Sequence, residues 1–255
     1  MNELELLTIV LSIVTGILFF ALIIAFILKR ELKDEHNEEN EDDHGDEISI
    51  TPSNLEEITN FCGDQGEDII NHHLQRLIKD DEYFLNNLLL PTMNGHKTEV
   101  DAVLITHRGI YCVESKNWVG KIKGNNNDEH WIQEYDDRRL GYKKHKNPVK
   151  QNELHCDTID EILEEELDVY EIDKIYQRIH NVVIFSHLQD QSELYSNCTF
   201  DILDFKEYYT TRRNEIDDEG TLEDIYDILS RFEATPEELE EHKREVRNHC
   251  NSNLS

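Results

Sequence analysis

Cysteine is scarce and poorly placed for cross-linking. Cys62, Cys112, Cys156, Cys198 and Cys250 are odd in number, widely spaced and contain no CxxC pair. That argues against a disulfide framework or a zinc knuckle and reads as free, buried thiols in a reducing compartment. Positive charge is short as well: 25 Lys and Arg against 56 Asp and Glu leave a formal charge of −31. So acidic a chain does not hold nucleic acid by bulk electrostatics, so any such partner needs a local basic surface. No internal repeat is present, and 255 residues suffice for one domain of ordinary size plus an appendage.

Two segments stand out by what they lack. Leu6 to Leu28, "LLTIVLSIVTGILFFALIIAFIL", has no charged residue and exceeds the roughly 20 residues that a helix needs to cross a bilayer. The competing reading, a cleaved signal peptide, wants a basic start and a small-residue cleavage site; the preceding residues are "MNELE" and no such site follows. Lys29, Arg30 and Lys33 flank the C-terminal side while residues 1–5 carry no Lys or Arg, so the positive-inside rule places the rest of the chain in the cytoplasm and the N-terminus outside. The second segment, Arg138 to Lys150, "RRLGYKKHKNPVK", contains no acid. Its basic residues Arg138, Arg139, Lys143, Lys144, Lys146 and Lys150 are the expected contacts to a phosphate backbone.

The expected organisation is an N-terminal tail over 1–5, a membrane helix over 6–28, an acidic tether over 29–58, a catalytic-type domain over 59–190 and a mainly helical extension over 191–255. The tether is anchored on "DEHNEENEDDHGDE", a like-charged run that cannot fold alone. "GDQGEDIINHHLQRLI" spaces Ile70, Leu74, Leu77 and Ile78 as one helical face, with Asp64 a possible cap. Three apolar runs of strand length follow, "EYFLNNLLLP", "EVDAVLIT" and "GIYCVESK". Asn147-Pro148 starts another helix, "IHNVVIFSH" supplies another strand, and "TLEDIYDILSRF" and "TPEELEEHKREVRNH" each open as capping-box helices.

The chemistry concentrates at the second and third strands. If a two-residue loop at His107 and Arg108 joins them, Thr106 pairs with Gly109 and Asp101 lies opposite Glu114, with side chains roughly 5 Å apart. Lys116 then points to the same face as Glu114. A three-residue loop with a bulge at Gly109 would slip that pairing by one residue. Two carboxylates and an amine on one sheet are costly as packing and well suited to metal-assisted phosphodiester hydrolysis. Asp101 and Glu114 would hold Mg²⁺ or Mn²⁺, Glu67 at the start of the first helix is the candidate third acid, and Lys116 would stabilise charge on the phosphate. Plainer readings compete: a surface ion pair for Glu114 and Lys116, a turn cap for Asp101, and macrodipole preference for Glu67. Trp118 and Trp131 read as core rather than as stacking platforms, and the histidines lack metal spacing.

Taken in order, "GDQGE", "EVDAVLI", "GIYCVESKNWVGKIKG", Trp131 and "NPVKQ" resemble the NERD (nuclease-related) domain, a branch of the PD-(D/E)XK nuclease superfamily, from Phe61 to about Ser186. The resemblance implies a restriction-endonuclease-like α/β fold, a mixed central sheet flanked by helices in the order αβββαβ. It implies a metal-dependent nuclease acting on DNA or RNA, with a nucleic-acid-binding or scaffolding module as the alternative, and no small-molecule cofactor. It assigns Glu67, Asp101, Glu114 and Lys116 to the catalytic set and adds Gln151 as a polar residue facing phosphate or water. Val100 stands where the superfamily's name has proline, a residue that ligates nothing.

Overall fold

The computed structural model describes residues 66–135, 141–168, 171–172, 175, 177–187 and 190–252. The expected membrane segment Leu6 to Leu28, the tether, Asp64, Arg138 and Arg139 lie outside the described residues. Among the described residues no helix is long and apolar enough to cross a membrane.

Residues 66–75 form helix α1. Strands β1 (Tyr83–Pro91), β2 (Lys97–Thr106) and β3 (Gly109–Lys116) then form an antiparallel meander. Helix α2 (Pro148–Glu166) precedes β7 (Ile179–Phe185), which pairs parallel with β3, and β9 (Thr199–Asp201) pairs parallel with β7. The sheet order β1-β2-β3-β7-β9 is therefore mixed, and β3 is its centre.

Central strands buried on both faces need unbroken apolar runs, and these have them. On one face Val103, Ile105, Ile110 and Cys112 pack against Ile159 and Leu163 of α2 and Leu222, Ile225 and Leu229 of α4 (Glu219–Leu229). On the other, Ala102, Leu104, Tyr111 and Val113 pack against Ile70 and Leu74 of α1 and Phe205 and Tyr209 of α3 (Ile202–Thr211). The segment 191–255 thus supplies the fifth strand and two covering helices. Asp201 caps α3 and Asp218, rather than the expected Thr221, caps α4. Helix α5 (Pro236–Ser252) does open on a capping box: Glu238 N donates to Thr235 Oγ1 at 3.3 Å and Thr235 N to a Glu238 carboxylate oxygen at 2.9 Å.

The expected helix, three strands, helix and strand follow in order, but the pattern did not predict β9 after β7 or a second sheet. Between β3 and α2, β4 (Lys121–Asn125), β5 (His130–Glu134) and β6 (Tyr142–Lys146) join β8 (Asp190–Tyr195) in a second sheet, ordered β6-β5-β4-β8. These strands are polar because one face is solvated. Their inner face carries Ile122 and Trp131, which pack with Val149, Val183 and Phe185, so Trp131 is core. Asn147 joins the two parts. Its side-chain oxygen accepts from Val149 N at 2.9 Å, capping α2, while its amide donates to Asp128 O at 2.7 Å in the β4–β5 turn.

Candidate functional site

The hairpin register is decided by its turn. Thr106 pairs with Gly109, which has φ +115°, a value that suits glycine, and the pairing runs to Ala102 opposite Val113. The two-residue loop is therefore the one present, and Asp101 and Glu114 are the residues that follow the Ala102–Val113 pair on the two strands. Asp101 Oδ2 accepts from Ser115 N at 2.6 Å, which pins the carboxylate over the end of β3.

Glu114 is the most buried group of the site, its side chain 2% exposed. Lys116 Nζ donates to Glu114 Oε1. The other oxygen, Oε2, lies 3.6 Å from Nδ1 of His155, and neither atom has a hydrogen-bond partner. A buried carboxylate oxygen without a donor carries a desolvation cost that the fold does not offset.

His155 stands where it does because Asn152, one turn earlier on α2, clamps that helix to the sheet. The fully buried Asn152 amide donates to Cys112 O at 2.8 Å and Val182 O at 3.1 Å, and its carbonyl accepts from the Cys112 thiol at 3.1 Å. Neither residue was expected from the sequence. The available signal was spacing: His155 lies four positions after Gln151, on the same helical face. Gln151 itself is exposed, and on this helix it is His155 that reaches Glu114.

Glu67 comes from the opposite side. Residue 66 is glycine because α1 approaches β3 closely: a Cβ there would lie 2.6 Å from the Asn117 Cβ. That contact brings the Glu67 charge within reach of Lys116.

The titration shifts follow from this crowding. Burial, then the Glu114 charge, push the Asp101 carboxyl up to about 6, against Lys116 and the Ser115 amide. Burial pulls the Lys116 amine down, but Glu114, Asp101 and Glu67 outweigh it and leave its pKa raised. His155 is lowered to about 4, chiefly by burial, and is neutral at ordinary pH. Among the described residues no group of three or more His, Cys, Asp and Glu side chains is arranged as a metal cage.

The basic segment divides. Lys143, Lys144 and Lys146 are exposed on β6, whereas the Lys150 ammonium is held by Glu129. His145 stacks on Trp118 with ring centroids 4.1 Å apart. Burial, then the charges of Lys143 and Lys116, lower His145 to about 4. It therefore lies within electrostatic reach of both Lys143 on its own strand and the site lysine.

Taken together, the described residues form an α/β domain with a mixed sheet, whose strands β2 and β3 carry an acid pair and a lysine. Residues 63–186, just under half of the chain, match the family model described as NERD, nuclease-related domain. The chain is also 25% identical over 142 residues to an uncharacterized protein of Bacillus anthracis, covering 56% of this chain and 66%, just under two thirds, of that protein. No solved structure matches the chain.

Proposed function

We propose that the domain hydrolyses phosphodiester bonds of DNA or RNA with Mg²⁺ or Mn²⁺ held between Asp101 and Glu114. The observations that carry this reading are the Glu114 charge acting on the buried Asp101 carboxyl, just past the Ala102–Val113 pair, and the Lys116 amine bonded to Glu114. Both acids fit a cation. Glu114 keeps a buried oxygen without a donor, and Asp101 is pushed up partly by its neighbour's charge. Mg²⁺ is commonly held by one or two carboxylates and completed by substrate phosphate and water, so a three-residue cage is not required. A divalent cation there would polarise the scissile phosphate and acidify the attacking water.

The protein's own groups do the rest. Lys116 presents a cationic amine to the charge that develops on the phosphate. Asn152 fixes α2, so that His155 closes the inner wall beside Glu114. Glu67 adds a third negative charge at the mouth, and Lys143 faces the approaching backbone. Gln151, exposed at the start of α2, would meet phosphate from the solvent side.

The Lys116–Glu114 ion pair also favours one alternative. An amine on Glu114 Oε1 occupies an oxygen that a cation would use, as in a binding module that keeps the fold without cleaving. Assays on single- and double-stranded DNA and RNA with Mg²⁺ or Mn²⁺ separate the two: cleavage lost in Glu114→Gln supports the enzyme, and binding without cleavage of any substrate supports the module.

The same proposal anchors the protein in a membrane through Leu6 to Leu28, with the domain on the cytoplasmic side. The flanking Lys29, Arg30 and Lys33 support that orientation. Protease added to intact cells should spare the domain; its digestion from outside would overturn the topology.

A further inference from the structure

Strand β6 is an edge of the second sheet, and its side chains alternate between two faces. His145 turns inward, stacked on Trp118 and with Nε2 2.9 Å from Gln133 Oε1, and Lys143 shares its face. Tyr142, Lys144 and Lys146 turn to the outer face, where Tyr142 is 72% exposed. The three lysines form no ion pair with another described residue. The lysines of β4 are already engaged: Lys121 with Glu193 at 2.5 Å, and Lys123 with Glu134 at 2.7 Å. Glu134, cross-strand from Tyr142, is paired with Lys123, and among the described residues the lysines of this sheet without an ion-pair partner are those of β6.

We propose that β6 is a binding edge for single-stranded nucleic acid, with Tyr142 a base-stacking platform and Lys144, Lys146 and Lys143 its phosphate contacts. This rests on a nucleic acid being the substrate and goes further by naming its form. Two physical arguments select the single strand. A tyrosine face is open to an unpaired base and closed to one stacked inside a duplex. The lysines also point to both faces of a sheet edge, so one backbone can meet all three only by bending around that edge. A flexible single strand does so at little cost, whereas a duplex has a persistence length of about 150 base pairs. On the inner face, the charges of both Lys143 and Lys116 reach His145.

The test uses the full chain in detergent, with EDTA present so that nothing is cleaved. Fluorescence anisotropy reads its affinity for an oligonucleotide of about 20 residues, single-stranded or as a duplex, at several salt concentrations. The wild type is expected to bind the single strand about tenfold or more tightly than the duplex. Tyr142→Ala should weaken single-strand binding about 5- to 100-fold, and Tyr142→Phe should retain it. Lys144→Glu with Lys146→Glu should lower the salt slope by about 1.4. Equal affinity for duplex and single strand, or an unaffected Tyr142→Ala, overturns the inference. A protein that binds in the expected pattern but never cleaves when metal is restored removes the proposed hydrolysis and leaves this inference standing. One that cleaves without strand preference does the reverse.

Discussion

The two ends of the hairpin β2–β3 each bury a glutamate, and they treat it in opposite ways. At the turn end, Glu82 accepts from His107 N at 3.2 Å, Lys79 N at 3.1 Å and the Tyr209 hydroxyl at 3.2 Å, with Arg108 at 3.8 Å. His107 next to it is held on both sides, by Ile216 O at 2.7 Å and Asp81 at 2.8 Å. At the other end, Glu114 meets only the Lys116 amine and leaves Oε2 beside a histidine nitrogen that also lacks a partner. A buried acid that serves the fold has its lone pairs filled by donors from several elements. One with an oxygen left without a donor at comparable burial is the group that the proposed metal site uses, and unmet polar groups of this kind are common where ligands bind.

The contrast breaks first in activity. Lys116→Met should lower cleavage at least about 100-fold while oligonucleotide affinity stays within about threefold, since its amine acts on charge present in the transition state. Wild-type cleavage by that variant would show that the amine has been misassigned. No comparable loss is expected from Glu82→Ala, measured per folded molecule.

Stability should reverse the order. Glu82→Ala strands several donors and should cost about 3 kcal/mol in urea unfolding. Glu114→Gln without metal should cost less, about 1 kcal/mol, because the amide oxygen can still accept from Lys116 and the Asp101 charge still acts on that amine. Equal losses at the two sites would erase the distinction drawn between them.

Metal sharpens the same comparison. At about 100 times its dissociation constant, a cation bound only by the folded state adds about 2.7 kcal/mol. Mg²⁺ or Mn²⁺ should stabilise the wild type and Glu82→Ala to this degree, but not Asp101→Asn or Glu114→Gln. An unchanged melting temperature of the wild type at saturating metal concentrations would count against the ion.

The smallest effect is in the pH profile. Asp101 has a raised folded-state pKa, so the folded state holds its proton more tightly, and its contribution to stability falls as pH rises from about 4 to about 6. His155, lowered to about 4, contributes the opposite slope between about 4 and its ordinary value. The two oppose one another in the metal-free protein. Asp101→Asn should therefore make stability rise more steeply with pH over that window, and an identical slope would contradict the shift at Asp101.

Much of this architecture was legible before the structure. The two-residue turn at His107 and Arg108 sets Thr106 against Gly109, and a single turn then propagates its register along the pair as far as Ala102 and Val113, the residues next to Asp101 and Glu114. Asn147 and Pro148 start α2 because capping and a preset φ act within one turn. Unbroken apolar runs marked β2, β3 and β7, since strands buried on both faces cannot alternate. Each of these signals lies within a few residues of the feature it governs.

What escaped the sequence depends on meetings between distant segments. The second sheet is made of polar strands whose one buried face, around Ile122 and Trp131, has its partner in Val183 and Phe185 on β7. Likewise the pairing of Lys150 with Glu129, the approach of Glu67 to Lys116, and the choice of His155 rather than Gln151 as the residue of α2 beside Glu114 come from packing. A side chain's rotation toward or away from a site is decided by how its helix docks, here by the fully buried Asn152 on β3 and β7, and a docking angle leaves no periodic trace along the chain.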